Sequence, residues 1–433
     1  MIATIRSVCS LLIGMGILLA GSGFLGTLLG LRASVENFSE FTIGLIMSAF
    51  FAGYIVGSYL CPHLIRRVGH IRTFAALSAS AAVVSLLHGL MIDPWVWGLL
   101  RLINGICMLG LYMVVESWLS GQVTHRRGLL FAVYMMVSLA ALGAGQFLIA
   151  IYGPEELASF VLVGLLFCLG LIPLALTRQH QPVLPAVANL PLRQLFAISH
   201  VGAVGSFASG MITGGFWGMS AVYALSVGMG NADVALFVAA AIFGGALLQW
   251  PVGHLSDRFD RRLVLLWVAL AAALMAGLIF WLGNYSRWML VIFTALYGGL
   301  SFSLYALSVA QTHDQITAEN TMGATRGLLL LNGIGATLGP LLVGAAMAIT
   351  RASFFPALLA LLLLLLGYYV RRQVARDPAV PADLRSEFVP LMRTSEAAME
   401  MDPRTDVDME LDLSGKLPDD KDLVATETAK TSD

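Results

Sequence analysis

The stretch PVGHLSDRFDRRLVL, Pro251 to Leu265, sets five charged residues and a histidine within ten positions and lies between two long apolar runs. Only 12% of the chain is charged, so a cluster this dense marks a place where the chain leaves an apolar environment. A second stretch, CPHLIRRVGHIRTF from Cys61 to Phe74, repeats the arrangement about 190 residues earlier, with arginines and a glycine but no aspartate. Two basic hairpins half a chain apart, each joining two apolar runs, read as one loop in two copies of a membrane-embedded unit.

Composition points the same way. The 433 residues are 58% hydrophobic with a mean hydropathy of +0.82, against about 45–50% apolar in soluble domains. Apolar stretches of about 20 residues cross roughly 30 Å of hydrocarbon as helices, which satisfy their own backbone groups there. Twelve such spans are expected, near 7–31, 41–61, 73–91, 95–118, 129–151 and 159–177, then 198–224, 234–252, 263–282, 288–311, 327–349 and 353–370. The opening MIATIRSVCSLLIGMGILLAG has the look of a signal peptide. Its apolar run continues to Leu31, however, longer than a secretory core of 7–15 residues, and it reads as an uncleaved first span.

The expected fold class is therefore an all-α integral membrane protein, twelve transmembrane helices in two pseudo-symmetric six-helix bundles. Residues 1–177 form the first bundle, 178–195 a linker with three prolines, 196–370 the second bundle, and 371–433 a disordered acidic tail. The net charge of −1 conceals this division. Up to Arg376 there are 19 arginines, no lysine and 11 acids; beyond it there are 6 basic and 15 acidic residues. Fifteen arginines flank the spans on the side that carries both termini, the linker and both hairpins, against three on the other: Arg32, Arg287 and Arg351. By the excess of positive charge on inner loops, both termini face the cytoplasm across the cytoplasmic (inner) membrane. Cys9, Cys61, Cys107 and Cys168 have no CxxC spacing and read as small core residues.

The repeat extends beyond the hairpins. RLINGICMLGLYMVVESW in the fourth span matches LYGGLSFSLYALSVAQTHD in the tenth, and LAALGAGQFLIA in the fifth matches NGIGATLGPLLVGAA in the eleventh. Small residues at helical spacing let membrane helices approach closely.

On these residues the chain resembles the major facilitator superfamily of secondary transporters, and within it a bacterial subgroup. The family's loop between its second and third spans reads G-x-L-x-D-R-x-G-R-R. GHLSDRFDRR, Gly253 to Arg262, matches it except that Asp260 stands in place of the later glycine. In PHLIRRVGHI, Pro62 to Ile71, Leu64, Arg67 and Gly69 match, while Arg66 stands where the aspartate belongs and His70 where an arginine belongs. Arg101 and Gly105 fit the family's R-x-x-x-G in the fourth span. The resemblance covers residues 1 to about 376 and implies a midplane site built from the first, fourth, seventh and tenth spans. It also implies a conformational latch: Asp257 and Arg258 against the start of the fifth span near Arg127, with Arg261 reaching Asp314. Arg66, at the symmetric position, would lie outward as an orientation charge or meet Glu319. The family's efflux-type glycine–proline pattern is absent from the fifth span, where Gln146 follows Gly145, and appears in the eleventh as GIGATLGPLLVG.

Polarity inside the expected spans supplies the site candidates. Arg101 lies about 9 Å inside the fourth span, either facing a cavity and an anionic group or snorkelling to the headgroups. Asn104, Met108, Tyr112 and Glu116 continue the same stripe at i, i+4 steps. Glu116 is the one carboxylate clearly inside a span: a candidate proton carrier, or a partner for His70 or Arg67 of the first hairpin. Thr213 and Trp217 in the seventh span, and Ser301 and Tyr305 in the tenth, form similar stripes that either line the cavity or bind neighbouring helices.

The chain carries no HExxH, no phosphate-binding loop and no buried aspartate pair. An enzyme, a cofactor, an ATP-driven pump and a nucleic-acid partner are accordingly not expected. The expected function is secondary active transport of a small molecule by alternating access, coupled to protons, in a monomer embedded in the lipid bilayer. A transporter-fold sensor is the alternative. Efflux of an amphipathic compound and uptake or exchange of a polar metabolite both stay open, and the acidic tail is free to bind a cytoplasmic partner.

Overall fold

The computed structural model describes residues 2–122, 127–176, 190–282, 286–316, 320–376 and 388, with side chains from residue 8 onward except at 122 and 127–129. Among them lie thirteen α-helices and no strand. The first half holds α1 (Ile2–Val35), α2 (Glu40–Val68), α3 (His70–Leu90), α4 (Pro94–Gln122), α5 (Arg127–Gln146) and α6 (Leu157–Ala175). After the short α7 (Leu192–Ile198) come α8 (His200–Ser226), α9 (Asn231–Arg258), α10 (Arg261–Leu282), α11 (Arg287–His313), α12 (Thr321–Ile349) and α13 (Phe355–Val374).

Eleven of the described helices are long and apolar enough to cross a membrane, or twelve when α7 and α8, bent by 115°, count as one span. The bend falls at Ser199, whose hydroxyl accepts from the Gly202 N–H and caps α8. Two expected boundaries move. The linker placed over 178–195 gives way to α7 directly after Pro191, and residues 178–189 of it, with residue 177 before it, lie outside the described ones. Arg371 and Arg372, expected to open the tail, belong to the last turn of α13. The rest of the tail, 377–387 and 389–433, lies outside the described residues, whereas Phe388 packs against the core and lays its ring on Gly253 of α9.

The repeat is visible in the packing. In the first half α1 pairs with α5, α2 with α4 and α3 with α6; in the second, α8 pairs with α12, α9 with α11 and α10 with α13. Equivalent glycines make equivalent approaches. A Cβ on Gly105 of α4 would overlap the Phe50 carbonyl of α2, and one on Gly298 of α11 would overlap the Ala241 carbonyl of α9. Between the halves, α2 packs on α12 and α5 on α9.

The two hairpins are built differently. The first turns on Gly69, at φ 86°, where a side chain would be strained. The second needs no left-handed residue. Asp260 precedes α10, its carbonyl accepts from Val264 N–H at 3.0 Å, and its carboxylate accepts from the Arg262 N–H at 3.0 Å. It is a helix N-cap, which also suits the positive end of α10 and accounts for an aspartate where the family pattern has glycine.

Candidate functional site

Between the halves lies a cavity of about 570 Å³, walled by α1, α2, α4 and α5 on one side and by α8, α9, α11 and α12 on the other. One end is shut. There Gly44 of α2 lies against the Pro340 carbonyl and Gly344 of α12, with a Cβ built on Gly344 only 3.0 Å from the Gly44 Cα. Beside it Gly30 of α1 faces Ala221 of α8, and Met47 meets Gly218. The lining runs from this floor towards the hairpin end, to Ser58 and Tyr59 of α2 and to Gly323 and Arg326 in the first turns of α12. The cavity therefore opens at the end that carries the charged hairpins.

Arg101 lines it and is buried, at 6% exposure. Its Nη1 donates to Asn104 Oδ1 at 3.4 Å, its Nη2 lies 3.6 Å from Met47 Sδ, and its Cζ sits 4.4 Å over the Phe50 ring. Among the described residues its Nε has no hydrogen-bond partner. The described lining contains two arginines, Arg101 and Arg326, and no carboxylate. A buried guanidinium held by an amide, a thioether and a ring face, with no acid beside it, leaves its charge uncompensated by protein.

Glu116 is fully buried and stands outside the lining. The Tyr134 hydroxyl of α5 donates to its Oε1 at 2.7 Å. Neither first-hairpin cation occupies the position expected of a partner. Arg66 and Arg67 are exposed, and His70 stacks on Trp118 at 5.8 Å between ring centroids. Tyr112, one turn before Glu116, does line the cavity and lies 6.4 Å, ring to ring, from Tyr54 of α2. The carboxylate thus sits behind a tyrosine wall of the cavity.

Other expected lining residues fall elsewhere. Asn104 and Met108 are buried behind Arg101; Thr213 donates to the Ser209 carbonyl of its own helix at 2.6 Å; Ser301 and Tyr305 are buried in the second bundle. Trp217 lines the cavity, stacked on Phe302 of α11 with centroids 5.7 Å and planes 15° apart. Phe302, rather than its hydroxyl-bearing neighbours, is the α11 residue in the lining. Sequence reasoning also missed the α2 face of Met47, Phe50, Tyr54 and Ser58, although their three- and four-residue spacing was legible. It missed Thr27 too, whose hydroxyl bonds Gln146 Oε1. Gln146, standing where a proline was sought, is fully buried and ties α5 to α1 through that bond.

At the second hairpin Arg261 is buried, its Nε 2.8 Å from Asp314 Oδ2 at the end of α11. The pair is the expected one, but both partners belong to the second bundle, so it does not join the halves as a latch would. Asp257 is 40% exposed, 3.6 Å from Arg261 Nη2, and its Oδ1 accepts from the Phe388 N–H at 2.9 Å. Arg258 is exposed. The Arg127 side chain, expected opposite Asp257, and Glu319, expected opposite Arg66, lie outside the described residues.

Known proteins share this organisation. The family model described as Major Facilitator Superfamily matches residues 11–329 and 202–400. The chain is 30% identical over 342 residues to the "Uncharacterized MFS-type transporter YcaD" of Escherichia coli (strain SE11), a match covering 77% of this chain and 87% of that one. Among solved structures, the nucleoside transporter NupG superposes with a TM-score of 0.72 at 14% identity, covering 86% of this chain and 99% of that one. A bacterial homolog of the human lysosomal transporter Spinster, inward-facing and unoccupied, gives 0.63 at 16%, covering 86% and 96%. At these identities the two structures speak for the fold alone.

Proposed function

The chain belongs to the major facilitator superfamily of transporters, and from that premise we propose that it is a secondary active transporter of a small organic anion, working by alternating access with Arg101 as the anion's anchor. The observation that carries this reading is the uncompensated guanidinium in a cavity whose described lining has no carboxylate. An arginine at that depth costs about 2.5–3.5 kcal/mol on insertion scales. A bound anion offsets that cost in a way that neutral or cationic cargo does not.

Glu116 is the proton site in this reading. The Tyr134 hydroxyl donates to its Oε1, and Tyr112 separates it from the cavity. A group that loads and unloads a proton beside the cargo site couples cargo movement to the proton gradient. The state described here, with its cavity open at the arginine-rich end, is the cytoplasm-open one. Asp257 is the latch of the opposite state. When the hairpin ends close, its carboxylate meets the positive end of α5, a contact worth about 0.3–1 kcal/mol when exposed and up to about 2 when partly buried. In the open state it holds Phe388 instead.

Thermal-shift screening of the purified protein against organic carboxylates, amines and neutral compounds tests the central part. Stabilisation by carboxylates that disappears in Arg101→Gln is expected; stabilisation by amines alone would overturn the anion reading.

A further inference from the structure

Resting on the reading of Arg101 as anchor, we propose that the cargo is an aromatic monocarboxylate. Its carboxylate sits on the guanidinium of the first bundle, and its planar ring lies on the Trp217–Phe302 pair of the second.

The guanidinium decides the anionic end. Asn104 takes Nη1, while among the described residues Nε has no partner and Nη2 has the Met47 thioether at 3.6 Å. Nε and Nη2 form the side-on edge of the group, which a carboxylate engages through two parallel N–H···O bonds. Met47 covers that edge with a flexible, unbranched side chain and a weak acceptor, a cover that a carboxylate displaces readily. The second arginine of the lining, Arg326, stands at the open mouth in the second turn of α12, so the deep part of the cavity offers one cation and suits one negative charge.

The other wall decides the rest. Trp217 and Phe302 come from different helices, α8 and α11, yet lie nearly parallel, and both line the cavity. Two rings already stacked extend as an aromatic column, whose outer face accepts a third ring by offset stacking better than it accepts a puckered aliphatic one. The volume of about 570 Å³ falls within the range of small-ligand pockets, roughly 300–1,000 Å³. A ligand anchored on one bundle and stacked on the other touches both bodies that move in alternating access. It therefore binds the two states differently, as any ligand that drives a conformational change must.

The test uses the purified full-length protein and four probes: naphthoate, its saturated analogue decahydronaphthoate, acetate and naphthylmethylamine. Naphthoate should bind about tenfold more tightly than decahydronaphthoate, the advantage of a stacked ring over a puckered one, with acetate weaker still. Trp217→Leu should erase most of that ratio by weakening naphthoate far more than decahydronaphthoate, and an unchanged unfolding temperature of the unliganded variant reports that it is folded. Arg101→Gln should abolish both. Equal affinity for the two ring acids, or a Trp217→Leu effect of the same size on both, sinks the aromatic inference and leaves the anion reading standing. Binding of the amine but of no carboxylate, or binding indifferent to Arg101, sinks both.

Discussion

Glu116 and Arg101 lie on one helix, four turns apart, and divide the work of the proposed cycle between them. Glu116 is withdrawn from the cavity and hydrogen-bonded by Tyr134, whereas Arg101 reaches the cavity and has no acid beside it. Replacing the carboxyl with an amide keeps the volume and removes the proton site. Glu116→Gln should therefore retain exchange of cargo across a membrane with no net proton movement, while accumulation driven by a proton gradient fails. Uptake and counterflow in proteoliposomes separate the two, and normal accumulation by the variant would remove Glu116 from the coupling role. Arg101, Tyr112 and Trp217 were legible from sequence because a charge or large polar ring inside an apolar span is conspicuous. Ser301, Tyr305 and Thr213 misled because a hydroxyl that bonds its own helix, as Thr213 does, has the same spacing as one that faces a cavity. Phe302 and the α2 face were hidden for the opposite reason: apolar rings facing a cavity and rings facing lipid look alike in a sequence.

The hairpins show what sequence fixes at the level of an element. Both were found from their arginines, and Gly69 was aligned correctly with Asp260, but the structural roles of those two residues differ: one permits a left-handed turn and the other caps a helix. Pattern matching aligns positions without revealing which backbone shape each position serves. Two of the ion-pair contacts at the second hairpin, those of Arg261, differ in the same way. Arg261 and Asp314 are both buried within one bundle, so Arg261→Gln should remove the charge that pairs a buried carboxylate and cost up to about 3–5 kcal/mol of stability, seen as a lower unfolding temperature. Asp257 is partly exposed; among the described residues it accepts from the Phe388 backbone N–H, and Arg261 lies 3.6 Å away. Asp257→Asn should leave stability nearly unchanged and shift populations towards the cytoplasm-open state, about 5- to 30-fold for a bias of 1–2 kcal/mol. Faster labelling of a cysteine in the cavity would report that shift, and a stability loss like that of Arg261→Gln would assign Asp257 a structural role instead.

At the scale of the whole molecule, the fold was the most legible feature, because hydrocarbon admits few structures and the twelve apolar runs, the half-chain repeat and the arginine asymmetry all constrain the same answer. What the sequence could not contain was the state. Which end of the cavity is shut is seen in the packing of α2 on α12 at Gly44, Pro340 and Gly344. Nor did it reveal that one residue of the tail, Phe388, rests on the second hairpin, since a lone aromatic in a polar segment carries no periodic signal.

Alternating access through this one cavity is the claim on which the rest depends, and labelling from the two faces of the membrane tests it most directly. With Cys9, Cys61, Cys107 and Cys168 replaced, a single cysteine at Ile55, in the cavity wall, is exposed to an impermeant maleimide in vesicles of each orientation. The cysteine should react from both faces, faster from the hairpin face. Adding Gly344→Val, which wedges α2 away from α12 at the closed end, should reverse that preference. Reaction from the hairpin face alone, in the parent and in the Gly344→Val variant alike, would contradict alternating access and leave the cavity a one-sided pocket.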